Sequence, residues 1–240
     1  MKTKLSVNIN KIATIRNARG GNTPNVVKAA RDIQQFGADG ITIHPRPDQR
    51  HIRFDDVYAI KEVITTEYNI EGYPSQEFIQ MVLKVKPDQV TLVPDPPDVL
   101  TSNNGWDTIQ NEAFLSEVIQ EFKKNNIRTS VFLNPDVRMV DGAKVCGADR
   151  IELYTESFAS GYPINQENSI APFIPTAIRA NELGLGINAG HDLSLENLNF
   201  FAKNIPGLLE VSIGHALISD ALYFGLENTV NLYQRALNLS

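Results

Sequence analysis

Along its whole length the chain alternates between short runs in which every second residue is apolar and longer stretches in which apolar residues recur every three or four positions. Three junctions share one pattern. Gly37-Ala38-Asp39-Gly40-Ile41-Thr42-Ile43, Lys86-Pro87-Asp88-Gln89-Val90-Thr91-Leu92 and Gly147-Ala148-Asp149-Arg150-Ile151-Glu152-Leu153 each pass through a turn and an aspartate into an apolar, polar, apolar triplet. Each reads as a helix handing over to a strand. Further strands are predicted over 5–9, 68–72, 127–133, 185–189 and 208–213, which brings the number to eight. Helical periodicity lies between them, at about 24–36, 55–66, 75–85, 110–125, 136–146, 168–183, 194–203 and 215–238. The clearest helix has Thr23 as N-cap, Pro24 at its first position and Gly37 as terminator, and Ser194 is the expected N-cap of another. Residues 7–21 read as a polar loop after the first strand, long enough to be functional. Eight strands alternating with eight helices predict an α/β fold, a single (β/α)8 TIM barrel spanning 1–240. A doubly wound open sheet alternates in a similar way, but 240 residues supply eight units of about 30, close to the usual size of such a barrel.

With 42% apolar residues the chain can build one substantial core, and no linker or low-complexity stretch divides it. No apolar run exceeds four residues, so neither a spanning helix of about 20 nor a signal-peptide core of about 7 to 15 is expected. The single cysteine, Cys146, reads as a small buried apolar side chain, which fits a reduced cytoplasm. The net charge of −6 argues against nucleic acid as a partner, but it is unevenly spread. Residues 1–53 carry ten Lys/Arg against Asp32, Asp39 and Asp48, a local +7 that leaves −13 for the rest. Arg16, Arg19, Arg46, Arg50 and Arg53 cluster in two short stretches, as expected where an acidic protein must hold a small anion. Solvated surface charge is the plainer reading of each arginine taken singly.

In such a barrel the chemistry sits at the C-terminal ends of the strands. All four histidines fall there: His44 ends the second strand, His51 lies in the following loop, and His191 and His215 follow the seventh and eighth. Glu71 closes the third strand, and Glu152 lies within the sixth, where its charge would be buried unless it faced the barrel mouth or met an arginine. Burial near other charges moves a carboxyl toward neutrality, as acid/base catalysis requires. Gly214-His215 and Gly190-His191 each place a glycine turn before a helix, and free N–H groups at a helix start suit phosphate. With the arginines, these turns predict more than one phosphate.

Val7-Asn8-Ile9 with Ile12-Ala13-Thr14, Arg16-Asn17-Ala18-Arg19-Gly20, Gly37 to Thr42 leading to His44 and Arg46, Asn188-Ala189-Gly190-His191, and Ile213-Gly214-His215-Ala216 together resemble the pyridoxine 5′-phosphate synthase family over essentially the whole chain. The resemblance implies a (β/α)8 barrel, commonly an octamer. It also implies condensation of 1-deoxy-D-xylulose 5-phosphate with 3-amino-2-oxopropyl phosphate, without metal or organic cofactor. By position, His44 and Glu71 match the family's proton acceptors, His191 its proton donor and Glu152 a transition-state stabiliser. Asn8, Arg19, Gly214 and His215 match contacts to the aminoketone phosphate; Arg46, His51 and Thr101 match contacts to the sugar phosphate. The chain departs from the commonest pattern at Asn10-Lys11, Asn103-Asn104, Glu156 and Asp192. Asn10, Lys11 and Asp192 remain expected substrate contacts, although Glu156 and Asp192 place carboxylates near phosphate loops and would repel the ligand unless they turn away or pair with a cation. Two rival readings are a metal-dependent barrel isomerase or hydrolase using His44, Glu71, Glu152 and His191 as ligands, and a non-catalytic binder of pyridoxine phosphate.

Overall fold

The computed structural model describes residues 2–95 and 104–238; Thr101 and Asn103 lie outside the described residues. Eight strands, β1 (Lys4–Asn8), β2 (Gly40–Ile43), β3 (Glu67–Gly72), β4 (Gln89–Leu92), β5 (Arg128–Leu133), β6 (Arg150–Tyr154), β7 (Gly186–Gly190) and β8 (Leu208–Ile213), form a closed barrel in sequence order. Every pairing is parallel, including the closing one between β1 and β8. Around the barrel run α1 (Asn10–Arg19), α2 (Val26–Gln35), α3 (Phe54–Lys61), α4 (Gln76–Val85), α5 (Glu112–Lys124), α6 (Val137–Val145), α7 (Glu156–Gly161), α8 (Gln166–Ile170), α9 (Phe173–Glu182), α10 (Leu198–Asn204), α11 (His215–Phe224) and α12 (Leu226–Asn238).

Four local expectations need correction. The segment read as a polar loop is helix α1: Asn8 Oδ1 accepts the Asn10 N–H at 3.0 Å at its start, and Ile12, Ala13 and Arg16 form its buried face. Helix α2 is capped by Asn25, whose side chain accepts from Lys28 N at 2.7 Å, rather than by Thr23. Ser194 Oγ accepts from Glu196 N and so caps a turn, and α10 begins only at Leu198. The stretch 215–238 is two helices, α11 and α12, because Gly225 adopts φ +78, a left-handed conformation that stops α11.

The barrel has an apolar outside and a polar inside. Alternate strand residues such as Val7, Ile41, Ile70, Val90, Val131, Ile151 and Val211 are fully buried in the apolar layer beneath the helices, each worth about 1.5–3 kcal/mol. Their neighbours meet across the lumen. Thr91 on β4 donates to Glu152 on β6 at 3.4 Å, Asn8 on β1 donates to Glu71 on β3 at 3.4 Å, and Arg128 on β5 pairs with Glu67 on β3. None of these strand pairs is adjacent in the sheet, so the side chains must project inward. Such interiors are ordinarily filled by Val, Ile and Leu. Here Ser6, Thr42, Asn69, Gln89, Ser130, Asn188 and Glu210, all at most 2% exposed, occupy that space.

Candidate active site

The upper end of the lumen carries most of the expected site residues. A chain of hydrogen bonds ties two of the principal ones together: Asn8 Nδ2 donates to Glu71 Oε2, Asn8 Oδ1 accepts from Asn10 N, and Asn10 Oδ1 accepts from His44 N at 2.9 Å. Asn10 is therefore a backbone clamp on the end of β2. Below it, Thr91 Oγ1 lies within hydrogen-bonding distance of both Asn69 Oδ1 (3.1 Å) and Glu152 Oε2, placing Glu152 one layer beneath Glu71. Among the described residues Glu152 forms no ion pair with an arginine; its bond is to the Thr91 hydroxyl.

The loop after β2 supplies His51 and Arg46. The His44 and His51 ring centroids are 6.1 Å apart, and His51 Nδ1 accepts from Ile52 N at 2.9 Å, which leaves the ring proton on Nε2. Arg46 is buried, with Nη1 4.0 Å from Asp95 Oδ2. Asp95 was not singled out in the sequence; its position three residues beyond the end of β4 was the available signal.

On the opposite rim, His191 adopts φ +72, a left-handed conformation that costs a non-glycine residue about 1–2 kcal/mol. Such strain persists where the surroundings hold it, and often serves function. Its N–H donates to Ser212 O, and its ring packs 5.9 Å from both Phe132 and Tyr154. Gly190 is required there, since a Cβ would lie 2.3 Å from Ser212 O. Gly214 N-caps α11, whose first residue, His215, is exposed; a Cβ on Gly214 would crowd the Asn8 side chain at 3.1 Å. The opening N–H groups of α11 thus lie beside Asn8 at the mouth.

Electrostatics assign protons to these groups. Burial, then the positive fields of His51, Arg46, His191 and Arg50, hold His44 well below the usual histidine range. Burial together with Arg46 and Lys11 brings His51 down to about 4. His191 is also lowered by desolvation, partly opposed by Asp192 and Asp95. The carboxyls move the other way. Burial and the neighbouring Glu152 and Glu210 push Glu71 well above the carboxylate range, and burial raises Glu152 to about 7. The ligand-free site therefore disfavours charge on its imidazoles and on Glu71 alike.

One arginine is committed elsewhere. Arg16 is only 1% exposed and is committed to Asp56 (2.6 Å), His51 O (3.0 Å) and Asn17 Oδ1 (3.0 Å), so it braces the β2–α3 loop rather than offering its charge to an anion. Arg19, the last residue of α1, is exposed, nine residues and about 13 Å of helix beyond Asn10. Lys11 is exposed at the rim, where its charge reaches His51 and His191. Asp192 is half-buried, its N–H donates to Thr155 Oγ1 at 3.2 Å, and burial raises its carboxyl while His191 and His215 pull it down. Neither Asp192 nor Glu156 forms an ion pair among the described residues. No group of three or more His, Cys, Asp or Glu among the described residues is placed to hold a metal ion.

The reading of the sequence overlooked a second polar layer at the bottom of the lumen: Glu67, Arg128, Arg150 and Glu210. Its signal was the period-two polarity of Glu67-x-Asn69-x-Glu71, Arg128-x-Ser130, Arg150-x-Glu152 and Glu210-x-Ser212, which is out of place in an all-parallel sheet.

Residues 5–239 match the family model described as pyridoxal phosphate biosynthesis protein PdxJ. The pyridoxine 5′-phosphate synthases of Flavobacterium johnsoniae and Bacteroides thetaiotaomicron are each 65% identical to this chain over 235 residues, 98% of this chain and 99% of the relative. Among solved structures, phosphoribosylanthranilate isomerase from Thermotoga maritima aligns with TM-score 0.62 at 13% identity, over 98% of both chains. A tryptophan synthase structure from M. tuberculosis aligns with TM-score 0.66 at 11% identity, over 100% of this chain and 94% of that one. At such identities these structures share the fold with the chain and no more.

Proposed function

The chain belongs to the PdxJ family of pyridoxal phosphate biosynthesis proteins, and from that footing we infer that it is a pyridoxine 5′-phosphate synthase. It condenses 3-amino-2-oxopropyl phosphate with 1-deoxy-D-xylulose 5-phosphate, closes the pyridine ring, and releases water and inorganic phosphate. The observation that carries this reading is the full-length likeness to curated synthases at 60–65% identity.

Ring closure requires an amine to attack a ketone, water and phosphate to leave, and a carbon nucleophile to close the ring, so protons move repeatedly. The site is loaded for this. Neutral His44 is the first acceptor. Burial and the neighbouring carboxyls favour the protonated form of Glu71, which suits it to give a proton to departing oxygen and to accept one in another step. His191 begins neutral; a phosphate dianion bound nearby favours imidazolium and loads it as the later donor. Glu152, poised near 7, supports charge developing above it. Asn8, Gly214 and His215 hold the aminoketone phosphate at the start of α11, and Arg46, His51 and Thr101 hold the sugar phosphate. Asn10 contributes by clamping His44, Lys11 by its field at the rim, and Asp192 by a contact beside His191. Arg19 adds a further cationic contact to the aminoketone phosphate.

The same reading extends to a cytoplasmic homo-octamer. No helix of the described residues is long and apolar enough to cross a membrane, and the exposed Leu222, Tyr223 and Phe224 at the end of α11 offer surface that assembly would bury. The decisive experiment mixes the purified protein with both phosphorylated substrates and follows the pyridoxine chromophore together with free phosphate. Absence of both products with folded protein would refute the function.

A further inference from the structure

His191 sits at the centre of a γ-turn: Asp192 N donates to Gly190 O at 3.0 Å across it, and its φ is +72. The form of this turn with a positive central φ is rare and strained, and it persists only where the surroundings hold it. The two strands that flank β7 do so. From β8, Ser212 O accepts the His191 N–H at 3.2 Å. From the end of β6, the hydroxyl of Thr155, a residue with no exposed surface, donates to Gly190 O and accepts from Asp192 N at 3.2 Å. One buried hydroxyl thus joins the two peptide groups on either side of His191, the same acceptor and donor that close the turn. The preceding residue, Tyr154, meets the His191 ring edge to face, with centroids 5.9 Å apart and planes at 85°, and Phe132 from β5 packs against the same ring. The imidazole itself stays exposed at the rim, so its direction depends on the backbone beneath it.

We propose that Thr155 is a positioning residue of this enzyme, its hydroxyl stapling the turn that aims His191 at the substrate. This rests on the functional reading above, in which His191 is the later proton donor, and deepens it. Without the staple, Gly190 O and Asp192 N keep only their strained contact with each other. The backbone of His191 is then drawn toward the extended or right-handed region that a non-glycine residue prefers. The ring leaves its place at the mouth while the barrel stays closed, because the ladders of β7 with β6 and β8 do not use this hydroxyl.

The test compares Thr155→Val, which keeps the shape and removes the hydroxyl, with Thr155→Ser, which keeps the hydroxyl. Thr155→Val should lower kcat about five- to thirtyfold, the factor by which the left-handed penalty depletes the productive turn once nothing opposes it, and hold both KM values within about twofold. Thr155→Ser should retain kcat within about threefold. In a His191→Ala background Thr155→Val should change kcat by less than about twofold, because the hydroxyl acts only through the ring that is gone. An equal fall in both backgrounds, a fall as large in Thr155→Ser as in Thr155→Val, or normal turnover in Thr155→Val overturns the proposal. Should Thr155→Val not fold, Thr155→Ala takes its place in the same cycle. Hydrogen exchange of the folded wild-type protein provides a check that needs neither a variant nor turnover. The Asp192 amide should exchange at least about a hundredfold more slowly than an unprotected amide, and free exchange overturns the proposal. If no pyridoxine 5′-phosphate forms, the functional reading fails while the exchange of Asp192 still tests the staple. If product forms but the cycle shows no coupling, only the role of Thr155 fails.

Discussion

Replacing Arg16 with methionine separates a structural brace from a phosphate ligand. Arg16 is almost wholly buried, and its guanidinium makes three polar contacts: Asp56 at 2.6 Å, His51 O at 3.0 Å and Asn17 Oδ1 at 3.0 Å. Methionine preserves most of the stem's apolar volume, so little cavity forms and the loss is electrostatic. Removing one member of a buried pair costs about 3–5 kcal/mol. Two features reduce this. The Asp56 side chain is 13% exposed and keeps the Arg53 N–H at 2.7 Å, and His51 O keeps Asn17 Nδ2 at 2.7 Å. A cost of about 2–3 kcal/mol is expected, which for a chain of this size lowers Tm by about 4–12 °C. Thermal and urea unfolding of Arg16→Met, Asp56→Asn and the double variant would measure it. The double variant should cost less than the sum of the singles, because the second substitution removes the charge that the first leaves stranded. A Tm within about 1 °C of wild type, together with a KM for either phosphorylated substrate raised tenfold or more, would show that Arg16 binds ligand and refute its role as a brace.

Four further outcomes are expected. Glu71→Gln should keep the fold and substrate binding while lowering kcat at least about a hundredfold, and near-normal turnover would reduce Glu71 to a buried strand end. His44→Ala should stall before the first condensation and His191→Ala after it, so the intermediates trapped in rapid-quench experiments should differ; identical ones would remove the division of labour. Arg46→Met should raise the KM for the sugar phosphate roughly ten- to a hundredfold and leave that for the aminoketone phosphate nearly unchanged, whereas equal effects that disappear in salt would mean only a diffuse field. Glu152 and Glu210 ionise near 7 and 8 when folded but near the ordinary 4.5 when unfolded, so these two groups bind more protons in the folded state between those values, and the stability they contribute is lost as pH rises from about 5 to 8. Refolding at pH 7.5, where the lowered His44, His51 and His191 are largely neutral in both states, should take up protons from a weak buffer, and release would contradict the assignment.

The sequence by itself determined the eight βα units, because period-two and period-3.6 patterns are written within a few residues and survive without tertiary context. It also placed His44, His51, His191 and His215 at the strand ends, since chain order alone puts a residue after its strand. Helix α1 was hidden because its inner face includes a charged residue, Arg16, whose burial depends on Asp56 forty positions away. Arg19, read as one of a phosphate-binding set, ends α1 and is exposed, a placement that depends on residues 10–19 being helical. The polar lumen needed barrel closure before it could exist. Thr91 meets Glu152, and Arg128 meets Glu67, across the barrel rather than along the sheet. The protons on Glu71, Glu152 and Glu210 are likewise a tertiary property. Each carboxyl alone would ionise near 4.5; burial inside the closed barrel raises all three, and for Glu71 and Glu210 the nearness of other carboxyls raises them further.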